Sequence, residues 1–207
     1  MRTNIYIDGF NLYNGALKRT PYKWLDVRRV CELLLPDAVV HTVHYFTARI
    51  KPLPDDPDGP VRQNAYLRAL ATLPGIAVHF GQFVRRAQRM PLVAPLPGAP
   101  DFAEVWRTEE KGSDVNLAVQ LVHDAHLNRF DQAAVVSNDS DLLAALRIAR
   151  RELGKRVGVI NPHKHPSKEL LKEADFVRQV REGVLGAAQL PDEIRDAHGV
   201  VRKPASW

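Results

Sequence analysis

Carboxylates in three separate segments have the placement that metal-assisted chemistry requires. Asp8 comes directly after a short apolar run, and Asp139 and Asp141 follow another such run. Asp114 opens a stretch with the apolar spacing of a helix. In a parallel α/β sheet the carboxyl ends of the strands meet at one edge, so we expect these side chains to become neighbours there.

A cluster of carboxylates favours the binding of a cation. Two carboxylates about 4 Å apart repel by about 1 kcal/mol in water and about 4 kcal/mol at an effective dielectric constant near 20. Protonation or a metal ion must relieve this repulsion. Hard carboxylate oxygens select Mg²⁺ or Mn²⁺, and these ions support hydrolysis of phosphodiester bonds.

Each acidic segment also has a purely structural explanation. Asp8 with Gly9 could form a tight turn, Ser113 and Asp114 could cap a helix, and the segment from 138 to 141 could cap the next helix. Capping does not require three segments to converge, however. Their coincidence at one predicted sheet edge therefore favours a functional site.

The elements that must position these acids alternate between strands and helices, which is typical of a largely parallel sheet. Predicted strands cover residues 4–7, 38–47, 76–83, 133–136 and 156–160, and predicted helices cover residues 26–35, 61–73, 113–130 and 142–153. Prolines at 91, 95, 97 and 100 exclude a regular helix over residues 84–101 and favour a protruding loop or irregular hairpin.

Composition limits the class of protein. The chain has 207 residues, 45% hydrophobic and 26% charged, which is ordinary for a soluble globular protein. Cys31 is the only cysteine, so an intramolecular disulfide and cysteine-rich zinc sites are excluded. No signal-peptide pattern and no long apolar run is present, so we expect a cytoplasmic protein without a membrane partner.

The positive charge is unevenly distributed. The net charge is +5, and ten Lys/Arg against four Asp/Glu lie between Arg147 and Arg181. This local excess hints at a polyanionic partner, although charged runs are usually solvated faces. Candidate contacts to such a polyanion are Lys164, Lys168, Arg85, Arg86 and Arg89. Two neighbouring histidines, His163 and His165, have too few companions for a zinc site.

The three acidic segments carry a family resemblance. The runs Ile7-Asp8-Gly9-Phe10-Asn11-Leu12, Glu110-Lys111-Gly112-Ser113-Asp114-Val115 and Ser137-Asn138-Asp139-Ser140-Asp141-Leu142 resemble the motifs of NYN-domain proteins, specifically the LabA-like branch within the PIN-like nucleases. Each motif alone is weak evidence for the family, but the three motifs in this order are specific to it. Some relatives carry a cysteine-bearing hairpin before the second motif; residues 85–107 here contain no cysteine.

The resemblance implies a three-layer α/β/α sandwich with a mostly parallel central sheet over residues 1–182. The prolines and arginines near 84–103 predict a loop insertion within this domain, and we expect residues 183–207 to form a loosely ordered extension. The implied activity is that of a Mg²⁺- or Mn²⁺-dependent endoribonuclease acting on RNA, and a homodimer is left open. The implied metal ligands are Asp8, Asp114, Asp139 and Asp141, with Asn11 and Ser137 as polar helpers.

Three alternatives compete with this interpretation. A haloacid-dehalogenase-type phosphatase needs a second Asp two residues after the first, where this chain has Phe10. A dinucleotide oxidoreductase needs a Gly-x-Gly-x-x-Gly run after the first strand, which is absent. An RNA-binding regulatory module with little or no turnover stays open, because a complete acidic set specifies ligands and not rates.

Overall fold

The computed structural model describes residues 1–94, 98 and 100–207. Within these residues the strands are β1 (Arg2–Asp8), β2 (Val39–Ala48), β3 (Ile76–Pro91), β4 (Phe102–Lys111), β5 (Gln132–Val136), β6 (Arg156–Asn161), β7 (Phe176–Gln179), β8 (Glu193–Asp196) and β9 (Gly199–Arg202). The helices are α1 (Gly9–Leu12), α2 (Val27–Leu34), α3 (Gly59–Ala71), α4 (Ser113–His126), α5 (Leu143–Arg147), α6 (Lys168–Glu173) and α7 (Glu182–Ala187). Helices α1 and α5 continue as π-helical turns through Leu17 and Glu152.

Seven of the described strands form one sheet in the order β4-β3-β2-β1-β5-β6-β7. Strands β1, β2, β3, β5, β6 and β7 run parallel to one another, and β4 pairs antiparallel with β3. The strand order reverses direction at β1, with β2 on one side and β5 on the other. A crevice outside the carboxyl ends of the strands at such a switch point is the usual place for a site in this architecture.

Alternation along β1 divides the core into two layers. Ile5 and Ile7 join a buried apolar cluster with α2, α3 and α7, whereas Tyr6 joins a second cluster with α4, α5 and α6. Successive side chains of a strand point to opposite faces, so one strand serves both clusters. Helices therefore cover both faces of the sheet, and the predicted three-layer arrangement is confirmed.

The segment expected to be a loop insertion near 84–103 is instead mostly a regular hairpin. Strand β3 extends to Pro91 and pairs with β4 from Gln82↔Lys111 to Pro91↔Phe102. Proline is tolerated at the end of a strand near an edge, so Pro91 does not prevent the pairing. Pro95 and Pro97, which suggested the irregular structure, lie outside the described residues.

The predicted loosely ordered extension is also corrected. Strands β8 and β9 pair with each other, and Val201 is buried. The Trp207 ring lies 6.3 Å from the Trp24 ring, and Arg68 donates two hydrogen bonds, of 2.7 and 2.8 Å, to Asp196. The polar composition of this segment hid the apolar side chains that attach it to the core.

None of the helices formed by the described residues combines the length and the apolar character needed to cross a bilayer.

Candidate functional site

The site is built where β1 and β5 end side by side. Ile7 pairs with Val136, so the residues that follow each strand are neighbours. Asp8 is 4% exposed, and its carboxylate accepts hydrogen bonds from Ser137 Oγ at 3.1 Å and from the Asn11 backbone N–H at 2.9 Å. A buried carboxylate needs such donors, because an unpaired charge is costly in the interior.

A second set of hydrogen bonds holds the chain after β5. The Ser137 hydroxyl accepts from the Asp139 N–H at 3.1 Å, and Asp139 Oδ1 accepts from the Asp141 N–H at 3.0 Å. Asn11 Oδ1 accepts from the Asn138 N–H at 2.9 Å. The polar helpers Asn11 and Ser137 thus connect the two acidic segments, which is more than a local cap would do.

Asp114 reaches the same edge by a different route. Strand β4 ends at Lys111, Gly112 adopts a φ of +96° that favours glycine, and α4 begins at Ser113. Glu110 accepts hydrogen bonds from the Ser113 N–H at 3.1 Å and from its hydroxyl at 2.7 Å. The turn therefore presents Asp114 in the first turn of α4.

The acids influence one another. Burial, followed by the charges of the surrounding acids, raises the pKa of Asp114 to about 6. The contributing charges are those of Asp8, Asp139, Glu110 and Asp141. Burial also raises the pKa of Asp8, with the charge of Asp139 adding to it and hydrogen bonds from Asn11 and Ser137 opposing it. Asp114 therefore lies within electrostatic reach of Asp8, Asp139 and Asp141, and Asp8 within that of Asp139.

The donor chemistry suits a hard divalent cation. Carboxylate oxygens are preferred by Mg²⁺ and Mn²⁺, and a cation would offset the charge that raises the pKa of Asp114. Among residues 1–94, 98 and 100–207, no three His, Cys, Asp or Glu side chains already converge as ligands of one ion. Mg²⁺ keeps several waters and needs only one or two protein carboxylates, so this arrangement does not conflict with the donor set.

Asp114→Asn is expected to stabilise the protein without metal by about 1 kcal/mol at pH 7.5, after solvent screening and the favourable helix dipole are allowed for. The folded-state pKa of about 6 exceeds the ordinary value of 3.8, so the folded state binds more protons between these pH values. The stability of the wild type therefore falls as pH rises through this window. Urea unfolding should show a gain at pH 7.5 that vanishes near pH 3.5. A loss of stability at pH 7.5 would contradict the crowding of charge.

Two residues near the acids were not predicted as members of the site. Glu110 adds a further carboxylate, and its only signal was its position in the second motif. His163, after β6, places Nε2 3.0 Å from Asn11 Oδ1, and its ring packs against Gly15 so closely that a Cβ there would lie 2.6 Å from it. The contact of His163 with Asn11 has no pattern that a single sequence displays.

The candidate RNA contacts fall into two groups. Lys164 and Lys168 are exposed and follow β6 at the carboxyl edge of the sheet, the edge that carries the acids. Arg85, Arg86 and Arg89 are exposed on β3 of the hairpin. Strand alternation puts Arg85 and Arg89 on one face and Arg86 on the other. The hairpin arginines therefore do not form one surface.

Much of the positive charge between Arg147 and Arg181 is compensated internally. Arg147 and Arg151 both pair with Glu173, at 3.6 and 2.7 Å, and Arg150 pairs with Asp175 at 2.7 Å. The excess of Lys and Arg over Asp and Glu in this segment is therefore weaker evidence for a polyanionic partner than the count of charges suggests.

Comparison with known proteins gives three results. A family model described as the NYN domain matches residues 2–180. The chain is 34% identical over 236 aligned residues to 6-hydroxy-3-succinoylpyridine 3-monooxygenase HspA of Pseudomonas putida, covering all of this chain and 75% of that protein. It also resembles the crystal structure of a protein of unknown function from Vibrio parahaemolyticus, with a TM-score of 0.54, 17% identity, and coverage of 87% of this chain and 93% of the other.

Proposed function

The chain belongs to the NYN domain family, and from this premise we propose that it is an endoribonuclease that uses Mg²⁺ or Mn²⁺ to hydrolyse phosphodiester bonds of RNA. The observation that carries the proposal is the single Ser137 hydroxyl that joins the Asp8 carboxylate to the Asp139 backbone where β1 and β5 end side by side. Burial, together with the charges of acids from all three segments, also raises the pKa of Asp114. Structural caps explain each acid alone but not their mutual influence.

The roles follow from the contacts. Asp8, Asp114, Asp139 and Asp141 are the proposed ligand set, of which one or two carboxylates would bind the ion directly and the others through its waters. A bound ion would activate water and stabilise the leaving oxygen of the phosphodiester. Ser137 holds the Asp8 carboxylate and the Asp139 backbone through one hydroxyl. Asn11 ties the Asn138 backbone to the end of β1. These polar side chains orient the carboxylates so that little reorganisation accompanies the reaction.

The experiment is cleavage of a labelled RNA by the purified protein with Mg²⁺ or Mn²⁺, compared with EDTA. We expect cleavage in the metal-containing reactions and none in EDTA. Binding of RNA without cleavage in any metal would instead favour the regulatory module. No cleavage and no binding would contradict the proposal.

One observation favours a second candidate, which is oxygenation of a pyridine ring. The 34% identical relative is named as a monooxygenase of 6-hydroxy-3-succinoylpyridine, and its similarity covers the whole of this chain. A monooxygenase consumes dioxygen and a reductant. A parallel reaction with that pyridine, dioxygen and NADH can be analysed by mass spectrometry. It should yield no hydroxylated product if the chain is a ribonuclease. Conversion of most of the supplied pyridine to a hydroxylated product would favour the second candidate.

A further inference from the structure

One face of the β3–β4 hairpin carries alternating arginines and exposed aromatic rings. The Arg85 guanidinium lies 4.8 Å from the centre of the Trp106 ring, and that of Arg89 lies 4.7 Å from the centre of the Phe102 ring. Trp106 is 66% exposed and Phe102 45% exposed. Two exposed aromatic rings on one face of a hairpin form an apolar patch, and such patches mark interaction sites more often than single exposed side chains do. We name Arg85, Arg89, Phe102 and Trp106 the hairpin platform.

The cations on the two faces of the hairpin differ in whether they form ion pairs. On the opposite face Arg86, Arg107 and Lys111 all lie within 4 Å of Glu109. Among the described residues Arg85 and Arg89 form no ion pair, although Glu104 lies opposite Arg89 in the register. The cations of the hairpin platform are therefore available to an external anion, whereas those of the opposite face are compensated.

The hairpin platform is continuous with the acidic site. At the base of the hairpin the Phe83 ring packs edge-on against the Phe10 ring at 5.5 Å, and Phe10 lies two residues after Asp8. At the other strand, β4 ends at Lys111, three residues before Asp114. The base of the hairpin thus lies next to the acidic site, so a ligand long enough to pass beyond the platform could reach the carboxylates.

We propose that the hairpin platform binds a single-stranded segment of RNA, with bases stacked on Trp106 and Phe102 and phosphates contacted by Arg85 and Arg89. The proposal rests on the proposed function and specifies its substrate class. Aromatic rings interleaved with cations are the usual means of holding single strands, since each base offers a π face. A duplex keeps its bases stacked inside and presents none to the rings.

Charge favours RNA over a second copy of this chain as the occupant. In a two-fold dimer the same face meets itself, and the platform would bring two pairs of arginines together. On this face Glu104 lies beside the platform, and Glu110, at its base, already accepts hydrogen bonds from Ser113. A polyanion has the complementary charge. Phe102 and Thr108, which both lie on this face of β4, are about 20 Å apart at the rise of an extended strand, enough for several nucleotides.

The test measures binding in EDTA, so that cleavage plays no part. Anisotropy of a labelled single-stranded oligomer and of its duplex would be recorded for the wild type, Trp106→Leu, Trp106→Phe and Arg85→Ala. Arg107→Ala, which removes a cation from the opposite face of the hairpin that is paired with Glu109, is the matched control. We expect Trp106→Leu and Arg85→Ala each to weaken single-strand binding about tenfold, Trp106→Phe to retain most of it, and Arg107→Ala to change it less than twofold.

A second readout uses the wild type itself. Trp24 is buried and Trp207 half-buried, whereas Trp106 is strongly exposed, so acrylamide quenching of the intrinsic fluorescence reports largely on Trp106. Bound single-stranded RNA should protect this fluorescence from quenching, and the duplex should not.

Three results would overturn the proposal: equal binding by Trp106→Leu and the wild type, tighter binding of the duplex, or absence of RNA binding. Protection that rises with protein concentration alone would assign the face to a second copy. Loss of cleavage with binding intact would remove the proposed function but leave the platform.

Discussion

Replacing Asp139 with asparagine is expected to reduce metal-dependent cleavage of RNA at least about 100-fold, because it removes a charged metal ligand while keeping the shape of the side chain. The amide oxygen of the new side chain can still accept the Asp141 N–H hydrogen bond that Asp139 Oδ1 accepts in the wild type. Fewer like charges at the sheet edge should leave the protein without metal at least as stable as before. Single-turnover cleavage and urea unfolding measure the two effects separately.

The control for this variant is Asp37→Asn. Asp37 is exposed in the turn before β2, at the amino end of the sheet and away from the acids. This substitution removes the same charge without touching the site, so the activity of the control should match the wild type. Activity of Asp139→Asn within threefold of the wild type, once contaminating nuclease is excluded, would remove Asp139 from the site.

Reversing the charge of Lys164 and Lys168 should have the second-largest effect. Both lysines are exposed at the carboxyl edge of the sheet, so their loss should weaken binding of RNA most strongly at low salt. For a single strand, two phosphate contacts account for a change of about 1.4 in the slope of log affinity against log salt concentration. Binding of a labelled oligomer at several salt concentrations, in the Asp139→Asn background, measures this slope.

The matched control reverses Lys155 and Arg156 instead, which changes the net charge by the same amount at the amino end of β6. Lys155 hydrogen-bonds Asn128, and the Arg156 guanidinium lies over the Phe176 ring. A steep slope should persist in this control. If both double variants flatten the slope equally, the effect is one of overall charge and not of contacts at Lys164 and Lys168.

The convergence of the acids could be predicted because each step is local. Asp8 and Asp139 follow short apolar runs, and parallel strands end at a common edge whatever their order. The apolar spacing predicts Asp114 at a helix N-terminus, and α4 begins one residue before it. Patterns confined to about ten residues were enough to place these side chains at the same edge.

What could not be predicted depends on packing between distant segments. The contact of His163 with Asn11 spans 152 residues, and no periodicity reports it. The hairpin platform depends on the register that sets Trp106 diagonal to Arg85, whereas the prolines of the same segment suggested irregularity. The attachment of residues 183–207 depends on Trp207 meeting Trp24, which a polar composition conceals.

The most direct test of the aspartate cluster as a metal site is calorimetric titration of the purified protein with Mn²⁺, since contaminating nuclease cannot imitate it. We expect saturable binding by the wild type and by Asp37→Asn, and strongly weakened binding by Asp139→Asn. The melting temperature should rise with Mn²⁺ in the first two proteins, because an ion that binds only the folded state stabilises it. Indistinguishable Mn²⁺ binding by all three proteins, or none by the wild type, would contradict the assignment.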